Sequence, residues 1–160
     1  MAVLRGWRRW WSGAVWVVAA AAGGHALAAP ASGEPLYFGV SGPLTGQNAQ
    51  YGAQWKAGFD LALEQINAAG GIHGRKIKYI VEDNQYQIPR SVQAANKLIN
   101  KDNVFIMVAN GGTPMNNATM PDQLAKGVPN MFPLTSARSM YEPFHHLKFG
   151  LAASYYDQMR

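Results

Sequence analysis

The sequence lacks cysteine altogether, so no disulfide can stabilise the fold and no lipid-modified cysteine can anchor the chain. It also lacks a cluster of basic residues. Lys97, Lys101 and Lys126 are dispersed, whereas a nucleic-acid surface needs Lys and Arg side chains grouped on one face. We therefore predict no nucleic-acid partner, in spite of the formal charge of +5 at pH 7.

Motifs of nucleotide-binding and hydrolytic enzymes are missing too. Gly39, Gly42 and Gly46 do not have the spacing of G-x-G-x-x-G or of the phosphate-binding G-x-x-x-x-G-K-[ST] loop, and no G-x-S-x-G elbow occurs. His145 and His146 are adjacent without a third ligand at a suitable spacing, which is typical of solvated surface histidines. We therefore expect no cofactor, no metal and no catalytic residue.

One enzymatic alternative stays open. Glu82 and Asp83 end a predicted strand, and two neighbouring carboxyl groups could supply a general acid and a general base. Adjacent strand residues face opposite sides of a sheet, so at least one of the two is expected to have a structural role. An exported hydrolase that uses Glu82 or Asp83 is the resulting alternative.

The first 28 residues have the pattern of a signal peptide. Arg5, Arg8 and Arg9 precede an apolar run, and Ala26 and Ala28 supply the small residues of a cleavage site. The apolar run is shorter than the about 20 residues that a membrane-spanning helix needs. We predict cleavage after Ala28 and a periplasmic location. The segment holds three of the 14 basic residues and none of the nine acidic ones, so the exported part is close to neutral.

The exported part alternates between the strand and helix patterns. An apolar run at 36–40 stops at a Ser-Gly-Pro turn, a helical period starts at Gln54, and a second strand pattern follows Gly70 and Gly71 at 76–81. Two strands joined by one helix in this way form a βαβ unit with parallel strands. Further on we predict a helix with Ser91 as its N-cap, and then a buried strand at 104–108, a helix at 117–126, and strands at 128–132 and 147–151.

This alternation predicts an α/β fold, an open parallel sheet with helices on both faces. Ser154 is expected to cap a last helix, and the sequence stops inside that helix at Arg160, which indicates a fragment or a truncated reading frame. The predicted organisation is a signal peptide at 1–28, a short linker at 29–34, a ligand-binding lobe at 35–152, and the start of a truncated hinge or second-lobe element at 153–160.

Three loops are candidates for a binding site because they follow predicted parallel strands, whose carboxyl ends share one edge of a sheet. They are residues 41–51, the Gly111-Gly112-Thr113 turn and the Leu134-Thr135-Ser136 turn. The last two offer hydroxyl groups and exposed backbone N–H groups that could receive a carboxylate or another polar head group. The alternative is that Thr113 only caps the following helix and that Thr135 and Ser136 form an ordinary turn.

Several of these segments resemble the N-terminal lobe of type I periplasmic solute-binding proteins, in the branched-chain amino acid group that feeds ABC importers. The resemblance is carried by the S-G-P-L-T-G block at 41–46, by Tyr51-Gly52, by the I-N-A-A-G-G-I-H-G-R block at 66–75, and by Gly112-Thr113-Pro114. It spans essentially the whole exported portion.

The resemblance implies a non-catalytic, two-lobed protein that closes on a small-molecule ligand and delivers it to an ABC permease. Relatives bind the polar head of the ligand with hydroxyl and backbone N–H groups that would correspond to Thr113, Thr135, Ser136 and Ala137. Tyr51 would pack against the ligand, and Tyr155 or Tyr156 would add a second aromatic ring. A periplasmic ligand sensor with the same fold is an alternative.

Three departures from the family pattern accompany the resemblance. The loop before Tyr51 is slightly longer than in the leucine-type binders, the cysteine pair of some relatives is missing, and no second lobe follows Arg160. The ligand is therefore predicted only as a branched-chain or related amino acid, or a similar small polar solute.

Overall fold

The computed structural model describes residues 33–160, so the predicted signal peptide and residues 29–32 of the predicted linker lie outside the described residues. Within this range no helix combines the length and the apolarity needed to cross a bilayer. A 3-10 turn lies at Arg138–Met140. The other elements are β1 (Gly33–Gly42), α1 (Ala49–Ala68), β2 (Arg75–Asp83), α2 (Ile88–Asn100), β3 (Ile106–Val108), α3 (Thr113–Ala125), β4 (Asn130–Met131), β5 (Lys148–Phe149) and α4 (Tyr155–Gln158).

The five strands form one parallel sheet in the order β2-β1-β3-β4-β5. Strand β2 lies on one side of β1 in the sheet, and β3 lies on the other side, so the crossovers β1–β2 and β2–β3 run in opposite directions across the sheet. Because parallel crossovers are right-handed, α1 covers one face, and α2 and α3, which pack on each other, cover the opposite face. The predicted α/β fold with an open parallel sheet is confirmed.

The core lies between α2 and the sheet. It contains Leu98, Val104 and Met107, together with three further buried residues, Ala95, Ile99 and Val128. The predicted strand at 104–108 is longer than the observed β3, and Phe105 is 61% exposed instead of buried. Because pairing with β1 begins only at Ile106, Phe105 lies at the amino edge of the sheet.

Helix and strand boundaries differ from the predicted ones at several places. Ser91 is not the N-cap of α2: Gln87 takes that position, and the Ser91 hydroxyl donates back to the Gln87 carbonyl over 2.9 Å. The helix starts earlier because Pro89 fits the first turn, where a backbone N–H has no helical partner. Helices α1 and α3 likewise begin before their predicted starts, and β1 begins at Gly33, inside the predicted linker. Ser154 caps α4 as predicted, because its hydroxyl accepts from the Asp157 N–H.

Helix α1 approaches the end of β1 closely at Gly52. A Cβ atom at this position would lie 1.9 Å from the carbonyl oxygen of Pro43, which is far inside van der Waals contact. Gly52 is buried in this contact. Glycine therefore allows the first turn of α1 to pack directly on the loop that follows β1.

We predict that Gly52→Ala lowers the free energy of unfolding by about 1–3 kcal/mol or more, because the added methyl group forces α1 away from Pro43. Urea denaturation measures the change. Gly58→Ala is the matched control, since a Cβ at Gly58 of the same helix meets nothing within 4 Å. Replacing an exposed helical glycine by alanine should stabilise by up to about 1 kcal/mol. Equal effects of the two substitutions would contradict the prediction.

Candidate functional site

The strongest candidate for a functional site is the carboxyl edge of the sheet between β1 and β3. The chain leaves β1 towards α1 on one face and leaves β3 towards α3 on the other, so a crevice opens between the two loops. The loops are tied together by backbone hydrogen bonds. Gly111 N–H donates to the Ser41 carbonyl over 3.2 Å, and Leu134 N–H donates to the Asn110 carbonyl over 3.0 Å.

Three buried asparagine side chains, which we name the asparagine network, add to these bonds. The Asn110 side-chain oxygen accepts from the Ser41 N–H at 3.1 Å. The Asn84 amide donates to the Ser41 hydroxyl at 3.1 Å, and the Asn116 amide donates to the carbonyls of Asn110 and Gly112 at 2.9 and 2.8 Å. The network therefore fixes the loops after β1, β2 and β3 relative to one another.

A pocket of about 380 Å³ opens above this network, and we name it the aromatic pocket. Its walls include the rings of Tyr51 and Trp55 from α1, the ring of Tyr86 from the loop after β2, and Leu134 from the loop after β4. Gly112 forms part of its base, and no lining residue carries a charge. The volume lies within the range of about 300–1,000 Å³ that is typical of small-molecule sites.

A second group of side chains, which we name the hydroxyl cluster, consists of Thr113, Thr135 and Tyr155. The two threonines directly follow the pocket residues Gly112 and Leu134. Thr113 and Thr135 oppose each other with their hydroxyl oxygens 2.5 Å apart, and the Tyr155 hydroxyl lies 3.5 Å from that of Thr135. Thr135 is only 6% exposed and also accepts from the Ala137 N–H at 3.2 Å. Thr113 is partly exposed and Tyr155 is 52% exposed, so these two members are better placed than Thr135 to meet a ligand.

The hydrogen bonds of this cluster change the acidity of Tyr155. The bond with Thr135 and a weaker contribution from the Ser136 backbone lower the pKa of the Tyr155 phenol, and slight burial opposes them. The Tyr155 N–H also donates to the Ser136 carbonyl at 2.9 Å, which attaches the start of α4 to the loop after β4. The phenol is thus held at the rim of the sheet.

The seven residues predicted to bind a ligand fall into these two groups. Tyr51 and Gly112 line the aromatic pocket, and Thr113, Thr135 and Tyr155 form the hydroxyl cluster. Two further residues, Ser136 and Ala137, contribute backbone bonds to that cluster. The alternative role of Thr113 as a helix cap is wrong, because Gly112 takes the cap position of α3 and no side chain caps it. The role of these seven residues in ligand binding stays a prediction.

Sequence reasoning missed two walls of the aromatic pocket. Neither Trp55 nor Tyr86 was among the residues predicted to bind a ligand. An isolated aromatic ring in a polar loop directly after a strand was the available signal for Tyr86. Trp55 had no comparable signal, because a tryptophan at helical spacing is equally expected in a core.

The two carboxylates of the hydrolase alternative have structural partners. Glu82 forms an ion pair with Lys97, which also pairs with Asp102 at 3.1 Å. Asp83 accepts from the N–H groups of Leu44 and Gln85 at 2.9 and 3.0 Å, and from the Thr45 hydroxyl at 2.5 Å. Both carboxylates thus have the structural role that was expected of at least one of them.

The histidine pair is also structural. The rings of His145 and His146 stack with their centroids 4.7 Å apart, and His145 Nδ1 accepts from the Leu147 N–H at 3.2 Å. Residues 33–160 contain no group of three or more His, Cys, Asp or Glu residues that could hold a metal ion. The histidines close the turn before β5.

Comparison with known proteins agrees with this architecture. Residues 35–160 match the family model described as periplasmic binding protein. The chain belongs to the periplasmic binding protein family. It is 42% identical over 84 residues to an "Amino acid binding protein" of Pseudomonas aeruginosa, and the matched segment covers 52% of this chain and 21% of that relative. The family consists of solute-binding proteins rather than enzymes, and its members are periplasmic.

Two solved structures share the fold. A substrate-binding periplasmic protein from Ralstonia solanacearum superposes with a TM-score of 0.71 and 28% identity, covering 76% of this chain and 35% of that one. A "possible leucine/isoleucine/valine-binding protein" from Rhodopirellula baltica has a TM-score of 0.74 at 24% identity, covering 82% of this chain and 35% of that one. The chain therefore spans about a third of the length of these structures.

We predict that Asp83→Ala lowers the free energy of unfolding by about 1–3 kcal/mol near neutral pH, since the N–H groups of Leu44 and Gln85 lose their acceptor. Partial burial alone would raise the pKa of Asp83, but its bonds from Thr45, Gln85 and Leu44 together hold the pKa below its ordinary value of 3.8. The carboxylate therefore contributes its full amount to the free energy of unfolding above pH 3.8. This contribution is lost as the pH falls through the lower pKa of the folded state.

Chemical denaturation at several pH values measures this effect. The difference between the wild type and Asp83→Ala should narrow as the pH falls below 3.8. Asp122→Ala, at an exposed position of α3, is the control and should change stability little at any pH. A difference for Asp83→Ala that stays constant down to strongly acid pH would contradict the assigned role of Asp83.

Proposed function

We propose that this chain forms the ligand-binding lobe of an exported substrate-binding protein, which captures a small polar solute and delivers it to an ABC permease in the membrane. One observation carries the proposal. The loops after β1, β3 and β4 meet at one edge of the sheet, where the aromatic pocket and the hydroxyl cluster lie side by side. Ligands of open parallel sheets bind at this edge.

The chemistry of the two groups supports capture of an amphipathic molecule. The N–H groups in the first turn of α3 have no side-chain cap, and a helix N-terminus favours an anionic group. Together with the Thr113 hydroxyl they can replace the water that an ionised head group loses on binding. The apolar walls of the pocket then gain from covering the rest of the molecule.

The names of the relatives suggest the class of solute. Relatives are named as amino acid and leucine, isoleucine and valine binders, so a branched-chain or related amino acid is the first candidate. The permease partner and the cleaved signal peptide at residues 1–28 belong to the same proposal. Because the chain spans about a third of the matched structures, the contribution of a second lobe is part of it as well.

Calorimetric titration of the full-length protein with leucine, isoleucine, valine and small organic acids tests the proposal. Binding of at least one of them is expected. A protein that binds none of these solutes would overturn it. Co-purification with a permease, rather than with a signalling partner, would separate a transport role from the alternative of a periplasmic sensor.

We predict that Thr113→Ala weakens ligand binding by about 1–3 kcal/mol, since the desolvated head group of the ligand then lacks one donor. Calorimetry on the full-length protein measures the change. Thr113→Ser keeps the hydroxyl and is the matched control, which should retain most of the affinity. An unchanged affinity of Thr113→Ala would remove Thr113 from the site.

A further inference from the structure

Tyr86 is held in a backbone conformation that bulky residues rarely adopt. Its φ is +59° and that of the preceding Gln85 is +49°, so two successive non-glycine residues are left-handed. Asn84 holds this turn, because its side-chain oxygen accepts from the Tyr86 N–H at 2.8 Å and its carbonyl accepts from the Gln87 N–H at 2.9 Å. Strained residues of this kind concentrate at functional sites.

The turn places the Tyr86 ring against Gly112 at the base of the aromatic pocket. A Cβ on Gly112 would lie 2.9 Å from both Cε2 and the hydroxyl oxygen of Tyr86, and φ at Gly112 is +83°. Any larger residue at Gly112 would therefore displace the ring. Tyr86 is 44% exposed, so its side chain is accessible to a ligand that enters the pocket.

The ring joins two others in a pocket without charge. Tyr51 and Trp55 line the same pocket, and Tyr51 is 60% exposed. Aromatic rings pack on another planar ring with an energy beyond that of simple burial. A flat aromatic body is therefore a better match for these walls than a branched aliphatic side chain.

The charges around the pocket also separate the two classes of ligand. An amino acid carries an ammonium group in addition to its carboxylate, and burial of this second charge requires hydrogen-bond acceptors or a charged partner. Among the described residues, the nearby carboxylates of Glu82 and Asp83 have their own partners, and no charged side chain lines the pocket. A carboxylate, in contrast, finds the uncapped N-terminus of α3 next to Gly112.

We infer that the aromatic pocket selects an aromatic monocarboxylate over an aliphatic amino acid, and that Tyr86 is a specificity-determining residue of this site. The inference rests on the proposed function, since it names the ligand class of the same pocket. It assigns Tyr86 to contact with the ring of the ligand and leaves the carboxylate to the first turn of α3.

Competition between benzoate and L-leucine on the full-length protein tests the ligand class. Calorimetric titration should show benzoate or 4-hydroxybenzoate binding at least about tenfold more tightly than L-leucine. Tighter binding of L-leucine would overturn the inference and leave the proposed function intact. Absence of binding by either class would overturn the inference and count against the proposed function itself.

Two substitutions test the role of Tyr86. Tyr86→Gly suits the left-handed backbone, so the melting temperature should not fall, whereas the affinity for benzoate should drop by about tenfold. Tyr86→Phe keeps the ring and should bind benzoate like the wild type. Tyr37→Ala removes a partly exposed ring of β1 that does not line the pocket, and it is the control for a general loss of aromatic surface.

The comparison with L-leucine separates specificity from general damage to the site. Tyr86→Gly should reduce the preference for benzoate over L-leucine, because the substitution removes a ring contact and leaves the head-group contacts in place. Equal weakening of both ligands, or an unchanged affinity for benzoate, would show that Tyr86 does not determine specificity.

Discussion

The carboxyl edge of the sheet depends on amide side chains that pair with backbone groups at the ends of the strands. A strand ladder stops where its loops diverge, and each buried N–H or C=O left without a partner costs about 1–3 kcal/mol. Asn110 and Asn116 provide such partners to Ser41 and Gly112, and Asn84 bonds to the Ser41 hydroxyl. An asparagine amide suits this position because it carries both donors and acceptors. The loops after β1, β2 and β3 are thereby held as one unit.

This unit divides the edge into two chemically different halves. Gly112 and Thr113 are consecutive, yet Gly112 forms the base of the aromatic pocket and Thr113 belongs to the hydroxyl cluster. The same division occurs at Leu134 and Thr135 in the loop after β4. Two adjacent loops thus present an apolar residue and a hydroxyl in parallel, and the Gly111–Leu134 bridge keeps them in register. Such an arrangement suits a molecule with one polar end and one flat or apolar end.

The fold could be predicted from the sequence further than the site could. Alternating periodicity identified the parallel α/β architecture, and the Ser154 cap was found because its signal is local. The start of α2 carried a local signal in Pro89, which suits the first turn of a helix, but Ser91 was taken as the cap instead. The close packing of α1 on Pro43 at Gly52 had no such signal, because it depends on a contact between two elements. The asparagine network escaped prediction because its bonds to Ser41, from Asn84 and Asn110, join residues that only the folded chain brings together. Tyr86 depends on that network and was missed with it.

Asn84 connects the edge of the sheet to the wall of the aromatic pocket, because the same side chain bonds to Ser41 at the end of β1 and to the backbone of Tyr86. Left-handed residues at Gln85 and Tyr86 would be unfavourable in isolation by about 1–3 kcal/mol each, so they persist only where surrounding contacts impose them. In this turn the contacts that impose the conformation are the hydrogen bonds of Asn84, which form without a ligand. The position of the Tyr86 ring is therefore set before binding, and the pocket wall that it forms is preorganised. Because the ring is already in place, ligand binding loses less conformational entropy in ordering the pocket. A rigid wall of this kind favours ligands of one shape over a range of different ligands.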